Sequence, residues 1–276
     1  MTAWESPLGR EALAQVPGAQ ASGDPLLMPL AGGTANATFR VATSAGAFVV
    51  RLHEPYTAEL GVDRRREAAL HTAAAAAGLA SRVIAADPAG RYLISEFLDG
   101  QPWQVADLED MLRLRELAHT FGQLHGLPAP EVPALDLAAL LDRHVACIAS
   151  LDLEAGRALG PQLARARDIL ARQADAGRAA CIVHGDPAHS NLIGTGPLRL
   201  IDWEYAAVGD PLTDPACLLA YYPQVLPHAS LLLEACGLGG AVTVAALTDL
   251  ARVYRLAADL WHRRLELARR HPPPAH

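Results

Sequence analysis

The chain has 276 residues, of which 51% are hydrophobic and 19% are charged, and its formal net charge is −7. This composition predicts a folded chain with a substantial apolar core and argues against disorder. The excess of acidic residues excludes a general nucleic-acid binder, because such proteins present a basic surface. The four cysteines are far apart and form no Cys-x-x-Cys pair, which indicates buried thiols in a reducing compartment rather than a metal site or a disulfide set.

Neither an export signal nor a membrane span is predicted. Glu5, Arg10 and Glu11 interrupt the N-terminal segment, where a signal peptide needs an unbroken apolar run. The uncharged stretch 215–233 contains prolines, so we expect two buried helices joined by a turn. We therefore predict a cytoplasmic protein that binds neither a membrane nor a nucleic acid.

The first predicted elements are strands separated by a glycine turn. Residues 30–41 indicate strand, turn and strand, with Gly32 and Gly33 in the turn. Two adjacent glycines let backbone amides approach a phosphate closely, and Asn36 can close the turn. A further strand contains Arg51. Glycine hairpins are common, so this turn indicates a phosphate-binding loop only in combination with the elements that follow it.

A helix, a strand and a second helix are predicted next. Asp63 is the expected N-cap of the first helix, which includes the alanine run 73–77. The strand spans 92–98 and leads into a glycine turn. The second helix covers 108–125, where the apolar residues are strongly periodic.

The most informative segment begins at His184, with the sequence His-Gly-Asp-Pro-Ala-His-Ser-Asn. Its loop contains Asp186 and Asn191, and a predicted hairpin then leads to Asp202. Two carboxylates and an amide are the groups that hard cations and phosphoryl transfer require. Asp186 is suited to orient an attacking hydroxyl, and the other two are suited to bind metal ions. Each residue type is common in turns, but the whole set at this spacing favours a catalytic site.

These residues also carry a resemblance to a known family. His184-x-Asp186, with Asn191 five residues later, and the run Ile-Asp-Trp-Glu-Tyr-Ala at 201–206 resemble the protein-kinase-like small-molecule kinases, the aminoglycoside phosphotransferase and choline kinase superfamily. The Asp-Trp-Glu-Tyr-Ala form most resembles bacterial choline/ethanolamine kinases and thiamine kinases. The resemblance is specific in the 181–214 segment.

The resemblance implies a fold and a set of cofactors. The fold is α+β and bilobal, like that of protein kinases. Its small N-lobe (1–97) would contain an antiparallel sheet and one helix and would hold the nucleotide. Its larger, mainly helical C-lobe (98–276) would contain the catalytic loop. The expected cofactors are ATP and Mg²⁺, and the expected partners are this nucleotide and a small-molecule acceptor.

The resemblance also assigns roles in the catalytic loop. His184 and Asp186 would be catalytic, and Asn191 and Asp202 would hold the metal. Asp214 would support the loop from behind, although it is followed by a proline where leucine is usual.

The phosphate-binding lysine of most kinases is absent, because all 23 basic residues are arginines. The resemblance places Arg51 in its position. Arginine offers a fork of donors that binds two phosphate oxygens and stays charged at any working pH. The resemblance implies that Glu67 pairs with Arg51; the alternative is a pair with Arg64 or Arg66 on a solvated face.

The remaining nucleotide contacts are also implied by the resemblance. Gly32, Gly33 and Asn36 would approach the phosphates. Backbone groups from Glu96 to Leu98 would meet the adenine edge, although the side chains there do not distinguish adenine from guanine.

The acceptor is the least defined part of the prediction. Trp203, Tyr205 and Trp261 with the carboxylate of Glu204 would suit a small cationic alcohol of the choline, ethanolamine or thiamine type, because aromatic rings attract a quaternary nitrogen. Trp261 is equally consistent with a core position.

Two alternatives stay open. An aminoglycoside, which has several ammonium groups, would use carboxylates around an open cleft instead. The alternative from another class is a silent, nucleotide-binding pseudokinase. Such proteins lose the loop aspartate, the asparagine or the metal aspartate, and all three are present here. The sequence leaves the acceptor, the oligomeric state and the pathway open.

Overall fold

The computed structural model describes residues 3–20, 26–30, 36–194 and 196–270. The chain divides into two compact units. The first unit comprises Met1–Trp103, Ala129–Val132 and Ser190–Ala206. The second unit comprises Gln104–Pro128, Pro133–His189 and Ala207–His276.

A five-stranded antiparallel sheet forms most of the first unit. Its strands, in spatial order β1-β2-β3-β5-β4, are β1 (Leu26–Pro29), β2 (Asn36–Thr43), β3 (Gly46–His53), β4 (Val83–Ala86) and β5 (Tyr92–Glu96). Alternate residues of β2 and β3, among them Phe39, Val41, Phe48 and Val50, are buried in one apolar cluster. This period of two is the signature of a sheet with one covered face.

Two helices belong to this unit, one more than the sequence predicts. The helix α1 (Pro7–Leu13) begins after Ser6, whose hydroxyl accepts from the Gly9 amide, and it packs on the apolar cluster of the sheet. The helix α2 (Arg64–Ala76) begins as predicted at Asp63, whose side chain accepts from two backbone amides of the first turn. The buried face of α2 includes Glu67, so this charged residue points away from solvent.

A second, three-stranded sheet in the same unit positions two of the predicted site residues. Its strands, in the order β6-β8-β9, are β6 (Gln101–Pro102), β8 (Leu192–Gly194) and β9 (Leu198–Leu200). Asn191 immediately precedes β8, and Asp202 follows β9. The amide of Ile201 donates to the carbonyl of Asn191 over 3.0 Å, which ties the two ends of the hairpin together.

The second unit is mainly helical, with one two-stranded antiparallel sheet. The sheet pairs β7 (Cys181–Val183) with β10 (Ala207–Gly209). Its helices are α3 (Met111–His125), α4 (Leu137–Leu151), α5 (Leu153–Ala158), α6 (Gly160–Asp175), α7 (Thr213–Tyr221), α8 (Ala229–Ala235) and α9 (Val244–Arg270). The predicted α+β fold is therefore confirmed, with an antiparallel sheet in the N-terminal part and a mostly helical remainder.

Two of the helical predictions can be compared in detail. The helix expected from residue 108 begins at Met111, because the Asp110 side chain caps it and a 3-10 turn (Val105–Glu109) precedes it. The uncharged stretch forms α7 and α8, with a proline-containing 3-10 turn between them. Among the described residues, no helix is both long enough and apolar enough to span a membrane.

Candidate active site

Arg51 lies on β3 in the first unit, with only 9% of its surface exposed. Its guanidinium forms ion pairs with Glu67 of α2 and with Asp202 after β9. Burial disfavours its charge, but the two carboxylates outweigh burial and raise the pKa of Arg51 further above its usual value. Arg51 therefore stays charged and is aimed at the carboxylate predicted to hold a metal.

Glu67 pairs with two of the three arginines that the sequence offers it. Its side chain is fully buried, and it contacts Arg51 and, over 2.8 Å, Arg64. Burial alone would raise its pKa, but these two guanidiniums lower it. The two pairings that the sequence left open thus occur together, on a buried face rather than a solvated one.

Asp202 has an unusual backbone conformation. It has φ +64° and is the one non-glycine residue with a positive φ among those described. A residue held in this sparsely populated region costs about 1–3 kcal/mol and is often found at a functional site. The Asp202 side chain is 38% exposed, so its carboxylate is accessible to a ligand.

Asn191 and Asp202 supply the oxygen donors that Mg²⁺ prefers. Asn191 is buried, and both residues belong to the first unit. Within the described ranges, no three His, Cys, Asp or Glu side chains form a metal-binding group. This donor set fits Mg²⁺, which takes one or two protein oxygens and completes its shell with phosphate and water.

In the second unit, Asp214 organises the loop that contains His184 and Asp186. Asp214 is fully buried and accepts hydrogen bonds from the backbone amides of His184 (3.1 Å) and Gly185 (2.8 Å) and from the ring of His125 (2.9 Å). Burial opposes its ionisation, but these donors lower the pKa of Asp214. The buried carboxylate thereby fixes the loop backbone just before Asp186, which is itself partly exposed.

A second contact supports the same loop beyond Asp186. The backbone amide of His189 donates to the hydroxyl of Tyr222 over 2.9 Å, and the His189 ring lies 2.7 Å from that hydroxyl. The two rings also meet edge to face. The loop is therefore anchored on both sides of Asp186.

The segment predicted to meet adenine follows β5. The Glu96 side chain is 42% exposed and pairs with the side chain of Arg82. The Glu96 and Phe97 amides donate to the carbonyls of Arg82 and Ala47. Leu98 lies two residues after the end of β5 and is half-buried. Gly32 and Gly33 lie outside the described residues, and Asn36 begins β2.

The four residues predicted to bind the acceptor have different environments. Trp203 is fully buried, stacks on His71 at 5.9 Å and donates to the carbonyl of Leu200, which is the environment of a core residue. Glu204 is 6% exposed, and burial and the nearby Asp202 raise its pKa. Tyr205 is half-buried, next to Glu204 in the first unit.

Trp261 belongs to the second unit and is half-buried on α9. Its buried indole N–H has no partner among the described residues. An unsatisfied buried donor costs about 1–3 kcal/mol, so a ligand acceptor at this position would be favourable.

Arg64 and His125 are two residues that the sequence did not assign to the site. Arg64 contacts Glu67, Glu204, Asn36 and Thr57. The spacing of three residues between Arg64 and Glu67 indicated a possible ion pair on one helix face. No local pattern indicated the contacts of Arg64 with Asn36 and Glu204, which are distant in the chain. His125 was expected only to end a helix, and its bond to Asp214 spans 89 residues.

A buried arginine on a five-stranded antiparallel sheet pairs with a glutamate of the neighbouring helix α2, and an aspartate loop lies in a mainly helical unit. These features are those of a kinase-like phosphotransferase. A family model described as the phosphotransferase enzyme family (APH) matches residues 27–235. The chain therefore belongs to this family and is a small-molecule phosphotransferase of the choline kinase and aminoglycoside phosphotransferase type.

Solved structures agree with this assignment. A choline/ethanolamine kinase family protein from Mesorhizobium loti is 25% identical, with a TM-score of 0.75 over 97% of this chain and 88% of that chain. The choline kinase LicA from Streptococcus pneumoniae is 16% identical, with a TM-score of 0.75 over 96% and 93% of the two chains. The ADP-bound aminoglycoside phosphotransferase APH(2″)-Ib is 16% identical, with a TM-score of 0.59 over 94% and 90%. A sequence comparison with curated proteins gives no match.

Proposed function

We propose that this enzyme transfers the γ-phosphoryl group of ATP to the hydroxyl of a small cationic alcohol of the choline, ethanolamine or thiamine type. The observation that carries the choice of acceptor class is the 25% identity to a choline/ethanolamine kinase family protein across 97% of the chain. The TM-scores of the choline and ethanolamine kinase structures, 0.71 to 0.75, against 0.59 to 0.64 for the aminoglycoside enzymes, support the same choice.

Asp186 acts on the acceptor hydroxyl. Its carboxylate orients the hydroxyl and takes its proton while the acceptor oxygen bonds to the γ-phosphorus. The bond from this phosphorus to the bridging oxygen breaks, and ADP leaves with that oxygen. The buried Asp214 supports this role because it fixes the backbone of His184 and Gly185.

The first unit binds the nucleotide. Arg51 neutralises phosphate charge, and backbone groups from Glu96 to Leu98 contact the base. Asn191 and Asp202 would hold Mg²⁺, which when bound would neutralise charge on the phosphate oxygens. AMP-bound LicA and the ADP-bound aminoglycoside enzyme support nucleotide binding by this fold.

On the acceptor side we propose Trp261 of the second unit as one contact residue, and Tyr205 with Glu204 of the first unit as separate candidates. A ring and a carboxylate near a quaternary or primary ammonium contribute through cation–π and ionic attraction. Trp203 contributes from the core, by holding the turn that contains its neighbours.

The test is a screen of acceptors with product detection. The purified protein is incubated with ATP and Mg²⁺ and with choline, ethanolamine, thiamine or kanamycin, and phosphorylated products are identified by ³¹P NMR and mass spectrometry. We expect a phosphate ester of one of the three small alcohols, absent from the Asp186→Asn variant. Turnover of kanamycin alone would assign the enzyme to the aminoglycoside phosphotransferases. The absence of a phosphorylated product with every acceptor would contradict the proposal.

A further inference from the structure

Arg64 is a buried charged residue that the proposed mechanism does not yet use. Its side chain is 10% exposed, at the first position of α2. One terminal nitrogen donates to the carboxylates of Glu67 (2.8 Å) and Glu204 (3.3 Å). The other donates to the Asn36 amide oxygen and to the Thr57 hydroxyl, both over 2.9 Å.

These four partners come from four separate segments of the first unit. Asn36 begins β2, Thr57 lies in the turn after β3, Glu67 is on α2, and Glu204 lies two residues after Asp202. Asn36 also donates to Glu204 over 2.9 Å, which closes the network. Arg64 therefore fixes the segment after Asp202 to the helix that contains Glu67.

The charges explain why a second arginine is needed. Arg51 is shared between Glu67 and Asp202. If Arg51 turned to a phosphate and Asp202 to a cation, the fully buried Glu67 would keep only its pair with Arg64. Without that second arginine the buried carboxylate would be unpaired, which is strongly unfavourable. The contact from Arg64 keeps Glu67 paired in either state and also reaches the carboxylate of Glu204.

We propose that Arg64 is a positioning residue for the metal–nucleotide complex: it holds Glu67 and the turn after Asp202 in place, so that Arg51 can exchange Asp202 for a phosphate. This inference rests on the proposed function, because it assumes that Arg51 and Asp202 face nucleotide and metal. The geometry requires an arginine, since the planar fork contacts two carboxylates on one side and two neutral oxygens on the other, which a lysine ammonium cannot do.

The experiment measures nucleotide binding rather than turnover. Calorimetric titrations with the non-hydrolysable analogue AMPPNP, at a series of Mg²⁺ concentrations, give the affinity and the Mg²⁺ midpoint for each variant. Arg64→Ala should weaken binding at least tenfold and raise the Mg²⁺ midpoint several-fold. Arg64→Lys should be intermediate, because it restores the charge without the fork. The matched control is Arg65→Ala, an exposed neighbour on the same helical turn, which should bind like the parent.

The outcomes separate this inference from the proposed function. Failure of the parent protein to bind Mg·AMPPNP would contradict the proposed function itself. Normal affinity and midpoint in Arg64→Ala would overturn the positioning role alone. A weaker affinity at an unchanged Mg²⁺ midpoint would show a general structural role and would also overturn it. If thermal melting shows that Arg64→Ala does not fold, Arg64→Lys and Arg64→Gln take its place. A raised Mg²⁺ midpoint in these variants would support the positioning role, and an unchanged midpoint would overturn it.

Discussion

At the scale of single residues, the lack of lysine shapes the nucleotide side of the site. A buried lysine loses its proton readily, whereas a guanidinium keeps its charge. Arg51 is buried beside two carboxylates and its pKa is raised, so the charge that we propose to face phosphate does not depend on pH. The cost of burying this charge is offset by Glu67 and Asp202.

Substitution of Arg51 should therefore affect use of the nucleotide. Arg51→Ala should lower kcat/KM for ATP by roughly 10- to 100-fold, the equivalent of one hydrogen bond to a charged group. Arg51→Lys should retain partial activity, because a point charge restores attraction but not the bidentate fork. Initial rates at varied ATP give the comparison, and equal values for all three proteins would remove Arg51 from the site.

Substitution of Asp186 should affect the chemical step instead. Asp186→Asn should lower kcat by at least about 100-fold, the scale of a general-base contribution, while the Kd of Mg·AMPPNP stays near that of the parent. Asp249→Asn, on the exposed part of α9, serves as the control and should retain full activity. Near-normal turnover in a folded Asp186→Asn protein would contradict the assignment.

At the scale of elements, local chemistry made some features predictable and left others hidden. The start of α2 was predicted because an aspartate before a helix satisfies amides three residues away. The hairpin β8–β9 was predicted from its apolar runs and its glycine turn. The bonds of Arg64 to Asn36 and Glu204 span 28 and 140 residues, and no local pattern indicates such a pair. Burial of Trp203 was likewise not predictable, since an aromatic residue after a loop suits a core or a ligand.

The pairing of α4 with α9 yields a prediction about pH. His144 on α4 is 1% exposed, and Arg264 on α9 donates to its ring nitrogen over 3.1 Å. Burial and this guanidinium lower the pKa of His144 to about 4. Between pH 6.5 and pH 4, His144 is protonated in the unfolded chain but stays neutral in the folded chain. Stability therefore falls as the pH drops from 6.5 towards 4.

The size of this effect can be measured by urea unfolding at pH 7 and pH 5. His144 should account for a loss of about 2 kcal/mol by pH 5, because each pH unit between the two pKa values corresponds to about 1.4 kcal/mol. His144→Gln should flatten the pH dependence without removing it, since burial and Arg64 also lower the pKa of His53 to about 4. An unchanged slope in His144→Gln would show that this histidine is not held neutral, and the exposed His262→Gln variant is the control.

At the scale of the whole molecule, the motif sequence predicted more than the individual elements did. The His-Gly-Asp loop and the Asp-Trp-Glu-Tyr-Ala run were sufficient to predict the family, because they resemble its short local motifs, and the α+β fold was then implied by that resemblance. The acceptor was not predictable, because its contacts depend on which side chains of distant segments are accessible. Trp203 and Trp261 looked equivalent in the sequence, yet one is in the core and the other has a buried N–H without a described partner.

The last prediction concerns the proposed contact of Trp261 with the acceptor rather than with ATP. Trp261→Ala should raise the KM of the cationic acceptor about five- to thirtyfold, corresponding to about 1–2 kcal/mol of cation–ring contact, with little change in the KM of ATP. Trp261→Phe should recover part of this loss, because it keeps an aromatic ring but lacks the larger indole ring system and its N–H.

The double variant Trp261→Ala with Arg51→Lys tests whether these effects are independent. The two residues belong to different units and are proposed to act on different substrates, so their free-energy effects on kcat/KM should add to within about 0.5 kcal/mol. Steady-state kinetics with each substrate varied in turn give kcat/KM for the parent, the two single variants and the double variant, which together form a double-mutant cycle. A coupling free energy above this value, or an equal effect of Trp261→Ala on both KM values, would contradict the assignment. Trp261 would then act on nucleotide binding or on stability, and other residues would have to bind the acceptor.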